Sequence, residues 1–354
     1  MRGVGALRQA VEHLSGTTEL PLVPCPLPQM AQTVNQYPVD FADVKGQLLV
    51  KRALEVAVAG AHHVLLLGPP GTGKSMLAQR LPTILPELTL EEALEATKIH
   101  SIAGLLPAHE PLLTARPFRA PHHLSSAAAL IGGGPSPRPG EVTLAHHGVL
   151  FLDELPEFHR DVLESLRQPL EDGCVTVARA KRATAFPARF MLVAAMNPCP
   201  CGYLTDPKGR CHCPSTKVAA YLAKISGPLL DRIDLHVDVP AVPFDVISRA
   251  PEGESSAQIR ARVLQAQAYR RKRSQTCQNA QLRTRDLKTH CQMTPEGLKL
   301  LRSALQELQL SARSYTKILK VARTIADLAQ QETIQPEHLA EAIQYRSLDR
   351  QWWG

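Results

Sequence analysis

Residues 68–75 read Gly-Pro-Pro-Gly-Thr-Gly-Lys-Ser, and no other stretch constrains the fold so tightly. The string fits G-x-x-x-x-G-K-[ST], a loop that cradles nucleotide phosphates. Its flanks agree. The apolar run Val64-Leu65-Leu66-Leu67 precedes it, as a buried parallel strand would, and Met76 to Leu81 can open a helix. Strand, glycine-rich turn and helix in that order call for an α/β layer. The stretch Gly68, Pro69, Pro70, Gly71, Thr72, Gly73, Lys74 and Ser75 is expected to line the phosphates. Its glycines let the backbone turn so that N–H groups face inward, and the helix N-terminus adds partial positive charge. Lys74 would reach the outer phosphates of ATP, and Ser75 would ligate Mg²⁺.

Two further strands carry matching chemistry. Val149-Leu150-Phe151-Leu152 ends in Asp153-Glu154. Asp153 is expected to hold Mg²⁺, and Glu154 to polarise the attacking water as general base. Phe190 to Ala195 is a third apolar strand, and Asn197 follows it. Its amide is placed to orient that water. The competing reading of Asn197 is a turn residue before Pro198.

Alternating apolar strands and helical stretches run from about Val39 to Val242, which argues for a mainly parallel sheet. Five prolines in residues 21–38 read as a linker behind a short helix in residues 1–20. Beyond Pro240 and Pro243 the pattern is helical. Leu298, Leu301, Leu305 and Leu308 share one face, as do Ile318, Val321, Ala322, Ile325 and Ala329. Three segments follow: 1–38, an α/β core at 39–243, and a helical domain at 244–354. No run of 18 apolar residues exists, and no signal-peptide core opens the chain. A cytoplasmic protein without a membrane span is expected.

The net charge is +7, and its distribution says more than its size. Ser256–Gln330 holds 15 Lys and Arg against 4 Asp and Glu. Nucleic acid is one partner that fits, and an acidic neighbouring subunit is the other. Arg116 and Arg119 lie in a loop-forming stretch that ends at His122-His123. A hairpin from Cys174 to Arg189 would carry Arg179, Lys181 and Arg182 at its tip. The three hairpin cations suit contact with DNA phosphates, aided by Arg116 and Arg119, or else they keep a charged edge hairpin soluble. Four of the eight cysteines are spaced C-x-C-x₉-C-x-C. Cys199, Cys201, Cys211 and Cys213 can supply four thiolates to one Zn²⁺, with His212 as a substitute; free thiols in a reducing compartment are the alternative.

Taken together, these strings resemble the Mg-chelatase-like group of AAA+ ATPases, and within it the bacterial competence-protein branch. The resemblance covers roughly residues 39–350. It rests on Gly68–Ser75, Arg116–His123, Pro139–Glu141 with Leu144–His146, Val149–Phe158, Asn197–Gly202, Ser226–Asp234 and Leu310–Leu328. It implies an AAA+ P-loop core with a helix-2 insert and a pre-sensor-1 hairpin, followed by a helical lid. It also implies a homohexameric ring driving DNA branch migration in natural transformation. Asn197 would be sensor 1, Arg232 the arginine finger acting on the neighbour's γ-phosphate, and Arg313 sensor 2. The competing reading pairs Arg232 with Asp231 or Asp234 and leaves Arg313 as one more basic lid residue. Relatives of this branch usually begin with a Lon-protease-like domain. Residues 1–20 resemble its last helix, so a truncated product is expected.

Three functions remain at this stage. One is a DNA motor driven by ATP hydrolysis. Another is a chelatase-type ATPase that remodels a metal-inserting partner. The third is a nucleotide-binding module without motor activity.

Overall fold

The computed structural model describes residues 4–21, 37–106, 112–133, 138–179, 182–206, 208–243, 245–246, 253–307, 311–346 and 348. Met1–Gln36 and Tyr37–Gly354 form two separate units. The first contains the helix Leu7–Leu14, none of whose residues is buried.

The larger unit is built on five parallel strands. They are β1 (Val64–Leu67), β2 (Phe118–Arg119), β5 (Val149–Leu152), β8 (Met191–Met196) and β9 (Leu235–Asp238), in the order β2-β5-β8-β1-β9. β8 is central, and β1 lies between it and the edge strand β9, with Leu66 opposite Ala195 of β8 on one side and Val237 of β9 on the other. Successive side chains of a strand point to opposite faces, so each apolar run feeds two cores. Val64, Leu66, Val193 and Val237 enter one cluster of buried residues, whereas Leu65, Leu67, Leu192 and Ala194 enter the other. This division explains why the strands read as unbroken apolar runs rather than alternating ones.

Helices cover both faces. On the first face, Leu48–Gly60 and Lys74–Ile84 pack with the lid helices Ser256–Lys272, Ala312–Leu328 and Pro336–Gln344. The chain division drawn near Pro243 is therefore not a gap in packing, because lid and core residues share one buried cluster. Polar links reinforce the joint. Arg52 forks onto Glu341 (2.9 and 3.3 Å), and His62 meets Thr324 at 2.7 Å. Within the lid, Ile318, Val321, Ala322 and Ile325 are buried as expected, but Leu298 is 47% exposed. Leu308 lies outside the described residues.

Two small hairpins project from this frame. β3 (Gly132–Gly133) pairs with β4 (Arg138–Pro139), and β6 (Cys174–Arg179) pairs with β7 (Arg182–Pro187). The second places Arg179 opposite Arg182. Lys181 lies outside the described residues. No helix among the described residues is long and apolar enough to cross a membrane.

Candidate functional site

The phosphate loop leaves the C-terminal end of β1 and enters the helix Lys74–Ile84. Two glycines make this path possible. A Cβ on Gly68 would lie 2.3 Å from the Val239 carbonyl oxygen, and Gly73 caps the helix at φ +87°, where L side chains are strained. Lys74 is buried. Its ammonium donates to the carbonyls of Gly68 (2.7 Å) and Pro69 (2.8 Å) and to Asn197 Oδ1 (3.1 Å). Burial pulls its pKa below the usual lysine value, and the Asp153 carboxylate opposes that pull. One residue on, the Ser75 hydroxyl donates to Asp153 Oδ2 at 2.6 Å.

Three strand ends thus converge. β1 supplies the loop, β5 supplies Asp153 and Glu154, and β8 supplies Asn197. Glu154 stands at φ +54°, a left-handed conformation that costs a non-glycine residue about 1–2 kcal/mol. Such strain is tolerated where surrounding structure imposes it, and functional sites are where it gathers. The Glu154 side chain is 55% exposed, and its Oε2 lies 3.2 Å from His123 Nδ1. The His123 ring packs edge-on against Phe158. The sequence reading assigned His123 no role. It lies 31 positions before Glu154, and nothing in that spacing marks a contact.

Beside the loop lies a cavity of about 640 Å³ with a largely apolar lining that includes Gly46, Val50, Pro240, Val242 and Tyr345. Gln47 ties it to the phosphate loop by donating to the carbonyls of Thr72 (3.4 Å) and Pro240 (2.8 Å).

The two arginines lie on other partners. Arg232, only 12% exposed, pairs with Glu171 and donates to the Pro228 carbonyl at 2.5 Å. Its hydrogen bond holds the Glu171 carboxyl below the usual range, with a smaller contribution from Arg313. Arg313 is 66% exposed and lies 3.3 Å from Asp231. Asp234 takes Lys317 and sits 3.5 Å from His62. Arg232 therefore pairs with neither Asp231 nor Asp234. Among the described residues, no hydrogen bond or ion pair joins either arginine to the phosphate loop.

Arg116 and Arg119, expected to contact DNA, both have partners inside the chain. Arg116 donates to the carbonyls of Pro86 (2.6 Å), His147 (2.6 Å) and Glu87 (3.1 Å) and to Glu92 (2.9 Å). Arg119 forks onto Glu141 at 2.6 and 2.8 Å. These bonds tie separated loops together, and Arg119 remains about a third exposed. Of the hairpin cations, the structure gives the backbone of Arg179 and Arg182 alone.

Two side-chain clusters could hold a metal. The Sγ atoms of Cys199, Cys201, Cys211 and Cys213 all lie within 4.8 Å of one another. The Tyr203 backbone N–H, with help from the neighbouring thiols, draws Cys201 down to about 6. His212 is not part of that convergence. Glu95, His146 and His147 form the second cluster, but its hydrogen bonds argue against an ion. His146 Nδ1 accepts the Arg189 backbone N–H at 3.0 Å, so in neutral His146 the Nε2 carries the proton and donates to Glu95 (3.2 Å). Burial favours that neutral form, pulling its pKa to about 4.

A phosphate loop on β1, two carboxylates on the next strand but one and an amide on the central strand between them define a nucleotide site of the AAA+ kind, and comparison with known proteins agrees. Residues 40–247 match the family model described as magnesium chelatase, subunit ChlI, and residues 253–346 match the model of its C-terminal part. The chain belongs to the magnesium-chelatase family of AAA+ ATPases. It is 45% identical over 347 residues to competence protein ComM of Haemophilus influenzae, which covers 97% of this chain and 67% of that protein. It is 46% identical over 312 residues to the uncharacterized protein YifB of Escherichia coli, covering 88% of this chain and 61% of that one. A third relative, the uncharacterized protein Rv2897c of Mycobacterium tuberculosis, is 45% identical over 350 residues, 98% of this chain and 68% of that protein. The chain thus spans about two thirds of the length of these relatives.

Proposed function

We propose that this chain hydrolyses ATP with Mg²⁺ and, as a homohexameric ring in the cytoplasm, uses the turnover to move on branched or single-stranded DNA. Branch migration during natural transformation and recombination is the activity it fits. Residues 39–243 would be the ATPase core and 244–354 the lid, preceded at 1–38 by a short helix and a proline-rich linker.

The convergence of Lys74, Ser75, Asp153, Glu154 and Asn197 carries this reading. Ser75 and Asp153 already touch at 2.6 Å, and they would hold the Mg²⁺ that balances charge between phosphate oxygens. Lys74 would exchange its loop carbonyls for phosphate oxygens. Glu154, its carboxylate half open to solvent, would take the proton of the attacking water, which Asn197 would orient. The cavity behind Gln47 suits a nucleobase, being largely apolar and linked to the loop by the hydrogen bond from Gln47 to the Thr72 carbonyl. Arg232 and Arg313 are held by other partners than the chain's own loop; Arg232 would serve a neighbour's nucleotide across a subunit boundary as the arginine finger, and Arg313 would act as sensor 2. The similarity to a protein named for competence supports DNA as the track, as does the excess of cations in Ser256–Gln330.

The test is ATP turnover by the purified chain with and without forked or four-way-junction DNA. Lys74→Ala should weaken nucleotide binding. Glu154→Gln should bind ATP yet lose about 10²–10⁴ of the turnover, since an amide cannot accept the proton. Full turnover in Glu154→Gln would remove the general base assignment. Alanine at Arg179, Lys181 or Arg182 should each flatten the salt dependence of DNA binding by about one unit. Turnover that no DNA stimulates, with no salt-sensitive binding, would favour a chelatase-type ATPase acting on a protein partner, which the matched family models also accommodate.

A further inference from the structure

The loop between Asn197 and Ser215 has no helix or strand among its described residues, yet it touches the nucleotide site directly. Cys199 is fully buried, and its carbonyl accepts the Gly202 N–H at 2.9 Å, which closes a tight turn. Gly202 holds φ +83° and presses on the phosphate loop. A Cβ there would lie 2.5 Å from Pro70 Cδ and 3.6 Å from Asn197 Cγ. Asn197 in turn accepts a hydrogen bond from Lys74 at 3.1 Å. The turn that begins at the first cysteine therefore leans on both the loop proline and the amide that meets the lysine.

What orders this turn is the cysteine cluster. Sγ atoms of Cys199 and Cys201 are 3.3 Å apart, those of Cys199 and Cys211 3.7 Å, and those of Cys201 and Cys211 3.6 Å. All four thiols are free, and these distances are far too long for disulfide bonds of about 2.05 Å. They approach the edge of a tetrahedron around zinc, about 3.8 Å for Zn–S bonds of about 2.3 Å. Four thiolates this close would repel one another strongly, and a dication at their centre cancels that repulsion.

We propose that Cys199, Cys201, Cys211 and Cys213 bind one zinc ion, and that the zinc-held turn braces Pro70 and Asn197, so that zinc occupancy sets nucleotide affinity. The site is closed, with four protein ligands and no position for substrate, so its zinc is structural. The brace acts through positioning and needs no electron transfer. The second part rests on the reading of residues 68–75 as the ATP site.

Two separate readouts test it on the full chain: metal content by elemental analysis, and affinity for a fluorescent ATP analogue with Mg²⁺ in excess. Protein purified under reducing, chelator-free conditions should carry about one zinc per chain, as four thiolate ligands require. Cys211→Ser with Cys213→Ser should lose the zinc and bind the analogue about tenfold more weakly, a shift of about 1.4 kcal/mol. That pair could also unfold the loop, so Gly202→Ala serves as the second variant. It keeps all four ligands but drives a methyl group into Pro70, so it should retain zinc and still lose affinity. Purified protein without zinc overturns the metal site. Full affinity in the zinc-free double variant and in Gly202→Ala overturns the brace. Zinc-loaded wild-type protein that binds no nucleotide would instead defeat the ATP-site reading and leave the metal site standing.

Discussion

The phosphate cradle and the arginine face are built in opposite ways. In the cradle, functional groups already meet one another: Lys74 touches Asn197, and Ser75 touches Asp153. On the arginine face, Arg232 and Arg313 are held by carboxylates of their own chain, Glu171 and Asp231. The chain thus brings the cradle groups together but leaves Arg232 and Arg313 on local acidic partners. Under the proposed ring, half of the chemistry would be intramolecular and half would wait for a neighbour. A guanidinium stays charged at any working pH and forks onto oxygen pairs, so it can trade a carboxylate for a phosphate without changing protonation.

The largest effect should come from Arg232. If it acts across the boundary, Arg232→Ala should lower turnover by about 10³–10⁵ while leaving nucleotide affinity nearly unchanged. Wild-type activity should rise steeply with protein concentration as rings form. Mixing Arg232→Ala with Glu154→Gln subunits should restore partial turnover, because some boundaries then join an intact base to an intact arginine. Normal turnover in Arg232→Ala would break the contrast outright and move the finger elsewhere.

A smaller effect should come from the joint between the two regions. Asp234, two residues after Arg232, accepts the His63 backbone N–H (3.0 Å), and His63 opens the approach to β1. The His63 ring accepts the Leu192 N–H at 3.0 Å. Burial drives its pKa down to about 4, opposed by Asp234. A histidine whose folded pKa is depressed stabilises the fold above the unfolded value near 6.5, and that contribution drains away as pH falls from 6.5 towards 4. The gap caps the loss at about 3 kcal/mol. Denaturant midpoints measured between pH 7 and 4.5 should fall accordingly. His63→Asn, which keeps an acceptor for Leu192 and cannot be protonated, should flatten that fall. An equal pH slope in both proteins would remove His63 from the joint.

What could be read from the sequence follows the same division. The phosphate loop needs consecutive residues to wrap a compact anion, so its chemistry is written in one uninterrupted string. Asp153 and Asn197 were legible because each ends an apolar run. Arg116 and Arg119 were read as DNA contacts because a loop rich in cations looks exposed. Their partners, Glu92 and Glu141, lie 24 and 22 positions away, and only the fold brings them together. The role of Arg313 came from the family resemblance, and its position beside Asp231 depends on how the lid packs against the core. The cysteine spacing was visible, whereas the contact of Gly202 with Pro70 joins residues 132 positions apart and leaves no local trace.

The smallest effect sharpens the contrast most directly. Glu171 holds the half-buried Arg232 and is itself largely exposed. Solvent screens the carboxylate, so the pair contributes on the order of 1 kcal/mol. If Arg232 must leave Glu171 to reach a neighbour's phosphate, breaking that pair is part of the barrier to ring activation. Glu171→Gln should then raise ATP turnover by up to about fivefold, the factor that 1 kcal/mol allows. The gain should be greatest at protein concentrations where rings are only partly formed, and it should vanish in the Glu171→Gln, Arg232→Ala double variant. An additive outcome, with Glu171→Gln raising the residual turnover of Arg232→Ala by the same factor, would show that Glu171 acts independently of the arginine. The carboxylate would then be a bystander on that face rather than the group that holds Arg232 in reserve.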